Sequence, residues 1–342
     1  MAGAHQLRLR PAGDLPSPVI GRPGTASTKK TADGADAAVV AWLGHCGPAA
    51  GIRRRVLKES SGRPVVQYRY TRGEGATATR DTVVAKGYYR GDGAATFVAM
   101  ERLWRAGFSE DVRLSMPKPL AYLTGPRLLL QTRAAGSSLY RFLDDLPAGI
   151  SAVKMTGRWL AKLHNIPLTD GPLLNPVREQ ERLVNFRDAL TVACPADAAR
   201  IRDLSDGVDI GRETSVAPLV PTHGDFQPKN VHTLGRRVSV IDFDRFAVAE
   251  PARDLGHFVA QSMTMSYVRT GSFEAIAEWN RSFLDAYAVS APSGALTGLA
   301  VATVRSMLEI LYYKLVVRPV RDPSFLGAWL DECDRCLSLP VS

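Results

Sequence analysis

The chain has 342 residues, 45% hydrophobic and 23% charged, with a formal net charge of +9 and a pI near 9.5. Such a composition excludes a disordered or fibrous protein and predicts a soluble globular one, built as one large domain or two lobes. No apolar run reaches the ~18 residues of a membrane span, and the Arg-, Pro- and Gly-rich amino terminus lacks the apolar stretch of a secretory signal, so a cytoplasmic protein with no membrane partner is expected.

Residues 1–38 are rich in Pro, Gly, Ala and Thr without periodicity and read as a disordered tail. Residues 39–133 have a β-rich texture. IRRRVLK (52–58) reads as a strand, ESSGR (59–63) as a turn, PVVQYRY (64–70) as the returning strand and TVVAKGYY (82–89) as a third. ATFVAMERLWRAGF (95–108) has helical spacing, with Phe97, Met100, Leu103 and Trp104 on one side and Gly107 as a stop. PLAYL (119–123) and RLLLQT (127–132) close a small sheet, completing an α+β lobe. From 134 to 342 the pattern is mainly helical: Ser137 is placed to cap a helix over 138–146, and 151–166, 179–190, 273–287, 301–317 and 329–337 follow. On the last of these Cys333 and Cys336 form a C-x-x-C with no second pair to complete a zinc site, so two plain thiols are expected.

One β interruption breaks the helical half: NVHTL (230–234), a turn at 235–237, then VSVIDF (238–243). A hairpin there brings Asn230 and Asp242 together at its open end, with Asp225 on the loop just before. A carboxamide oxygen and a carboxylate are hard ligands suited to Mg²⁺. A carboxylate not consumed by metal can accept a proton from an attacking hydroxyl. Metal, base and hydroxyl are what phosphoryl transfer requires, together with a cation on the phosphates. Lys86, flanked by Val84, Ala85 and Gly87 in a strand, is costly to bury unless it meets an anion. By itself it would read as an edge-strand lysine guarding against aggregation; beside the downstream Asp/Asn pattern the phosphate role is preferred.

HGDFQPKN (223–230) followed by IDFD (241–244) resembles the catalytic signature of the aminoglycoside phosphotransferase and choline kinase-like family, a branch of the protein-kinase-like fold. VVAK (83–86) resembles the kinase lysine motif. LLLQTRAAG (128–136) resembles the hinge between lobes, RWLAKLHNI (158–166) the family's helix ending in Leu-His, and EPARDLGHF (250–258) its following segment. The resemblance covers about 39–258. It implies an α+β, two-lobe fold with a nucleotide-binding lobe at 39–133 and a catalytic and substrate-binding lobe at 134–342. It also implies ATP (or GTP) and Mg²⁺ as cofactors, and a hydroxylated small molecule such as an antibiotic, sugar or amino alcohol as acceptor. Asp225 would be the base, Asn230 and Asp242 the metal ligands, and Lys86 the α/β-phosphate contact. Gln131 in the hinge-like segment would contact the nucleotide, and His223 and Asp254 would brace the loop.

Departures from the kinase pattern bear on the substrate. Gly224 stands where protein kinases carry Arg, Gln227 where they carry Lys, and Asp244 where D-F-G ends in Gly; no A-P-E segment follows, so a protein substrate is not expected. Lys229 is a candidate for the phosphate contact that Gln227 cannot make. The nucleotide loop has one glycine, Gly62, and Ser60, Ser61 and the Gly62 backbone are expected to cap the phosphates; LGHCGPAAG (43–51) is a second candidate, but it precedes the first strand. Asp244 could touch the metal or only cap local N–H groups, and the cap is preferred. Glu101 reads either as the partner of Lys86 or as a solvated acid.

From Leu255 onward eight acids face seven bases, which does not describe a pocket for a polycation. Trp279, Tyr287, Tyr312 and Tyr313 could form an aromatic cage for a choline-type acceptor, or simply pack the core. Two rival classes are a catalytically weak, nucleotide-binding scaffold and a nucleic-acid binder exploiting the +9 charge. No motif supports the second, since the densest basic cluster, Arg53 to Arg55, has no interleaved aromatics.

Overall fold

The computed structural model describes residues 25–338 apart from 61, 90, 92, 169–170 and 214–216. Three β-branched and aromatic runs form an antiparallel meander, β1 (Ala49–Lys58), β2 (Val65–Arg72) and β3 (Thr79–Gly87). The chain leaves β3 through α2 (Gly93–Leu103), which ends in a wider turn at Trp104–Phe108, and makes the short β4 (Leu114–Ser115). It returns as β5 (Pro119–Leu123) and β6 (Leu128–Thr132), giving a sheet in the order β1-β2-β3-β6-β5. Side chains alternate across this sheet. Tyr68, Tyr70, Val83, Ala85, Leu128 and Leu130 form one buried face, against Val39 and Leu43 of α1 (Thr25–His45). The other face carries Gln67, Val84, Lys86 and Gln131, with Gln67 paired to Val84, Val84 to Gln131 and Lys86 to Leu129.

α1 corrects the expected tail. Residues 25–38 belong to a helix whose later turns bury Val39 and Leu43 on the sheet, whereas residues 1–24 lie outside the described residues. The helix escapes a periodicity search because only its carboxy-terminal half carries large apolar groups. Lys86 is not an edge lysine: β3 lies between β2 and β6.

The large lobe contains α3 (Leu146–His164), α4 (Pro176–Ala193), α5 (Ala198–Glu213), α6 (Ala252–Thr270), α7 (Ala277–Ala288), α8 (Leu299–Tyr312) and α9 (Leu326–Ser338). The helix expected over 138–146 is instead β7 (Ser137–Ser138) and a 3₁₀ turn at Leu139–Asp144, capped by Ser138, whose Oγ accepts from the Tyr140 N–H. Asp145 then caps α3 by accepting from Ala148 N–H. α5 carries a short apolar stripe, whereas α6 has little apolar periodicity. α5 buries Ile201, Leu204 and Val208, and α6 is buried on several sides through small and polar residues such as Gly256, Ser262, Thr264 and Ser266. A helix surrounded by protein has no amphipathic stripe to detect.

Four short strands position the loops between the lobes. β8 (Val220–Thr222) pairs antiparallel with β11 (Ala247–Ala249), while β9 (Val231–Leu234) and β10 (Arg237–Val240) form the expected hairpin, with Val231 opposite Val240. β10 also runs parallel to β4, and β9 antiparallel to β7, so segments from either side of the hinge share one sheet. No helix among the described residues is long and apolar enough to cross a membrane. Cys333 and Cys336 are buried and free on α9, and burial pushes the Cys336 thiol up to about 11, leaving it an inert packing group.

Candidate active site

The loop after β8 is fixed from beneath by aromatic rings. Phe226 and Phe243 are fully buried; Phe226 stacks on Trp159 at 5.7 Å and meets Phe258 at 5.5 Å, and Phe243 meets the His223 ring at 4.8 Å. These two phenylalanines therefore anchor the carboxylates that precede them. His223 donates from Nε2 to the Ile241 carbonyl at 2.9 Å and accepts the Asp225 N–H at Nδ1, 3.2 Å away, which ties the loop to the strand end.

Asp254, completely buried on α6, accepts the N–H of His223 at 2.6 Å and of Gly224 at 2.7 Å, and lies 3.3 Å from His164 Nε2. Burial alone would raise its pKa, but the hydrogen bond and charge of His164, with His223 and Arg253, hold it below the usual carboxylate value. The His of the Leu-His helix is thus a partner of Asp254 rather than an isolated core group. Gly224 has φ +79°, and a Cβ there would lie 2.2 Å from the Arg245 carbonyl oxygen. This is why an arginine cannot stand between His223 and Asp225 in this chain. Gly224→Ala is expected to lower the thermal midpoint measurably and cut phosphoryl transfer, because both the left-handed backbone and the carbonyl contact must give way; a wild-type melting curve would contradict this.

Asp225 is surrounded by donors. Its Oδ2 accepts from Asn230 Nδ2 at 2.9 Å, and its Oδ1 from Gln227 Nε2 at 2.9 Å and His257 Nε2 at 3.1 Å. Desolvation pushes its pKa up, but His257, His223 and Arg245 more than reverse this, leaving the carboxyl well below its ordinary range. His257 was not singled out as a site residue in the sequence. Its signal was present, three positions after Asp254 and so on the same face of α6.

Across the cleft, Lys86 Nζ lies 2.5 Å from Asp242 Oδ1 and 2.8 Å from Asp244 Oδ2, with its side chain only 12% exposed. Asp244 is corrected by this geometry: among the described residues it caps no local N–H but joins an ion-pair cluster, receiving Arg63 Nη1 at 2.9 Å and the Tyr88 hydroxyl at 2.5 Å as well. The reason is that burial between the lobes makes a long-range cation a stronger partner than a nearby amide. Arg63 comes from the β1–β2 turn, so that turn is tied to the 241–244 segment. Asp242 itself has φ 75°, a left-handed conformation uncommon outside glycine. Glu101 faces Arg105 at 3.0 Å and is not the partner of Lys86.

The residues fit Mg²⁺ by their donor chemistry. Asn230 uses Nδ2 toward the Asp225 carboxylate and its backbone carbonyl, which leaves Oδ1 without a hydrogen bond from any described residue. The Ile241 N–H binds the Asn230 carbonyl at 2.9 Å, so Asp242 follows directly on from that pairing, and only its Oδ1 is engaged, by Lys86. Among the described residues no group of three or more His, Cys, Asp or Glu could hold a metal by itself. One carboxamide and one or two carboxylates are what Mg²⁺ requires when phosphate oxygens complete its shell.

The remaining expected nucleotide contacts are dispersed. Ser60 Oγ accepts the Arg63 N–H at 3.4 Å, and the Gly62 carbonyl accepts the Tyr89 N–H at 3.0 Å, in the β1–β2 turn; Ser61 lies outside the described residues. Gln131 is buried in β6 opposite Val84, and Gln67 flanks Val84 from the other side with its Nε2 unpartnered among the described residues. Lys229 is exposed, with Nζ 5.1 Å from the Tyr140 ring centre. The four candidate cage aromatics do not assemble. Trp279 and Tyr287 are fully buried in the core, Tyr312 packs on Phe186 at 5.0 Å, and Tyr313 is half exposed.

A small β-rich lobe and a helical lobe, with an Asp/Asn loop and a strand lysine between them, define a small-molecule kinase of the protein-kinase-like fold that phosphorylates hydroxyl groups. The chain belongs to the phosphotransferase enzyme family, whose sequence profile matches residues 71–296. No curated protein matches it. Among solved structures it resembles a choline/ethanolamine kinase family protein from Mesorhizobium loti, at 17% identity, TM-score 0.60, over 91% of this chain and 96% of that one. It also resembles an aminoglycoside phosphotransferase solved with AMP-PNP and hygromycin B, at 16% identity, TM-score 0.56, over 84% and 93%. An amicoumacin kinase solved with AMP-PNP, Ca²⁺ and its antibiotic is similar at 15% identity, TM-score 0.57, over 84% and 90%.

Proposed function

We propose that the protein transfers the γ-phosphoryl group of ATP, or of GTP, to a hydroxyl of a small molecule in the cytoplasm, with residues 39–133 holding the nucleotide and 134–342 the acceptor. The observation that carries this is the meeting of Lys86 with Asp242 at 2.5 Å, on the hairpin end that also holds Asn230 and, through it, Asp225. The adenine nucleotides in two of the similar structures support ATP as donor. Asp225 orients the acceptor hydroxyl and receives its proton; the acceptor oxygen forms a bond to the γ-phosphorus as the bond to the β–γ bridging oxygen breaks, and ADP leaves. Asn230 and Asp242 would hold Mg²⁺, which would supply charge neutralisation for the transferred phosphoryl group. Lys86 takes the α/β-phosphates, with Ser60, Ser61, Gly62, Gln131 and Lys229 as further nucleotide contacts.

A screen of hydroxylated metabolites and antibiotics for ATP-dependent phosphorylation, read by mass, tests this reading. A product gaining one phosphoryl group is expected, and ATP binding without any product would contradict it. Lys86→Met is expected to raise KM for ATP roughly 10–100-fold, the equivalent of losing a charge-assisted hydrogen bond of 1.5–3 kcal/mol. Steady-state kinetics at varied ATP checks this.

A further inference from the structure

A cavity of about 720 Å³ opens in the large lobe where the amino-terminal ends of α4, α6 and α8 meet β11. Much of its wall is apolar, including Leu173, Val248, Ala252 and Val301, but two arginines, Arg253 and Arg305, are set into it. Neither α6 nor α8 carries a side-chain cap, so their first-turn dipoles add positive potential.

The charged groups around this cavity form one ion-paired network, with one guanidinium outside it. Glu179 binds Arg182 at 3.0 Å and also Arg305; Glu309 binds Arg305 and Arg182, each at 3.3 Å, and Arg245 at 3.4 Å. Three guanidiniums thus occupy two carboxylates. Arg253 is a fourth, and no described carboxylate lies within ion-pair distance of it; among the described residues its guanidinium makes one hydrogen bond, from Nη1 to Thr222 Oγ1 at 3.1 Å. Burial lowers its pKa, only partly offset by the Asp254 carboxylate, so the charge is held where it is disfavoured. Glu179 and Glu250 also line the cavity, so its wall carries two guanidiniums and two carboxylates; Glu250 has no ion pair to a described residue, and Arg253 is the lining guanidinium with no described carboxylate in contact.

One wall residue of the cavity, Arg253, reaches the loop that carries Asp225. Arg253 Nη2 is 2.8 Å from where a Cβ of Gly224 would stand, one residue before Asp225, and Arg245 at the end of the arginine–glutamate chain acts on Asp225 through its charge. The geometry points to this cavity as the acceptor site and to an acceptor that carries, besides its hydroxyl and an apolar body, an anionic group such as a carboxylate or a phosphate or sulfate ester, held by Arg253 and Arg305. The inference rests on the kinase reading above.

Matched hydroxylated probes test it: mandelate, methyl mandelate and 2-amino-1-phenylethanol, extended to other hydroxy acids with their esters and amines, and to hydroxyl-bearing phosphate and sulfate monoesters. Affinity is read by ligand-observed NMR with MgADP present. Acidic probes are expected to bind at least tenfold tighter than their neutral and cationic counterparts, and to lose at least tenfold in Arg253→Met. Val301→Glu, which places a negative charge on the wall without touching the catalytic loop, should do the same even if Arg253→Met fails to fold. Equal or tighter binding of esters or amines, no binding of any acidic probe, or unchanged affinity in the folded variants overturns the inference. Transfer of phosphate from ATP is measured separately. Acids that bind but gain no phosphate fault the kinase reading while supporting the anion site, and preferential phosphorylation of the amines does the reverse.

Discussion

Asp225→Asn is expected to lower kcat for phosphoryl transfer about 10²–10⁴-fold, the range for losing a positioned proton acceptor, with little change in KM for ATP. Asparagine matches the shape but not the donor count. Asn230, Gln227 and His257 all point N–H groups at the two carboxylate oxygens, and an amide turns an NH₂ toward at least one of them. Because those donors and nearby charges hold Asp225 below the ordinary carboxylate range, it is ionised throughout the neutral region. Its ionisation therefore leaves no acid limb in the pH–rate profile above the ordinary value of 3.8; activity through this group falls only as pH drops through its depressed pKa. So acidic a conjugate acid also makes a weak base, which suits a loose transition state in which the hydroxyl is mainly oriented and its proton moves late. A kcat within threefold of wild type would remove Asp225 from the chemistry.

Asp254→Ala is expected to cost about 3–5 kcal/mol in chemical denaturation, the loss found when one member of a buried charged cluster is deleted. Two loop N–H groups, from His223 and Gly224, and the His164 ring lose their acceptor in a fully buried position. The folded pKa of Asp254 is depressed, so the stability it contributes is present above the unfolded value of 3.8 and lost as pH falls through the folded one. Wild type should thus show an acid-side loss of stability that Asp254→Ala lacks. Since Gly224 adjoins Asp225, the variant should lose activity under conditions where it remains folded. A variant as stable as wild type would mean that the loop is held by its aromatic anchors alone.

What could be read before the structure follows from chain distance. Asn230, Asp242 and Asp225 are joined by one short hairpin, so local turn chemistry nearly determines their meeting. Lys86 stood out as a cation inside an apolar strand. By contrast, the Asp244 cluster draws Arg63 and Tyr88 from the far lobe, and no local pattern announces a contact across 181 residues. His257 carried a signal only in its spacing from Asp254, because α6 is buried on several sides and has no solvent-facing polar stripe to set it apart. The arginine–glutamate chain joins α4, α8 and the 241–249 segment, elements whose packing no periodicity specifies. α1 was missed for the opposite reason, because composition argued for disorder and only Val39 and Leu43 reveal the sheet it covers.

A crystal structure with Mg²⁺ and AMP-PNP tests the central claim most directly. The account predicts the metal between Asn230 Oδ1 and the Asp242 carboxylate, with Lys86 Nζ on the α- and β-phosphates and the γ-phosphate facing Asp225. Nucleotide bound outside this cleft, or Lys86 still held by Asp242 and Asp244 with the phosphates elsewhere, would contradict it.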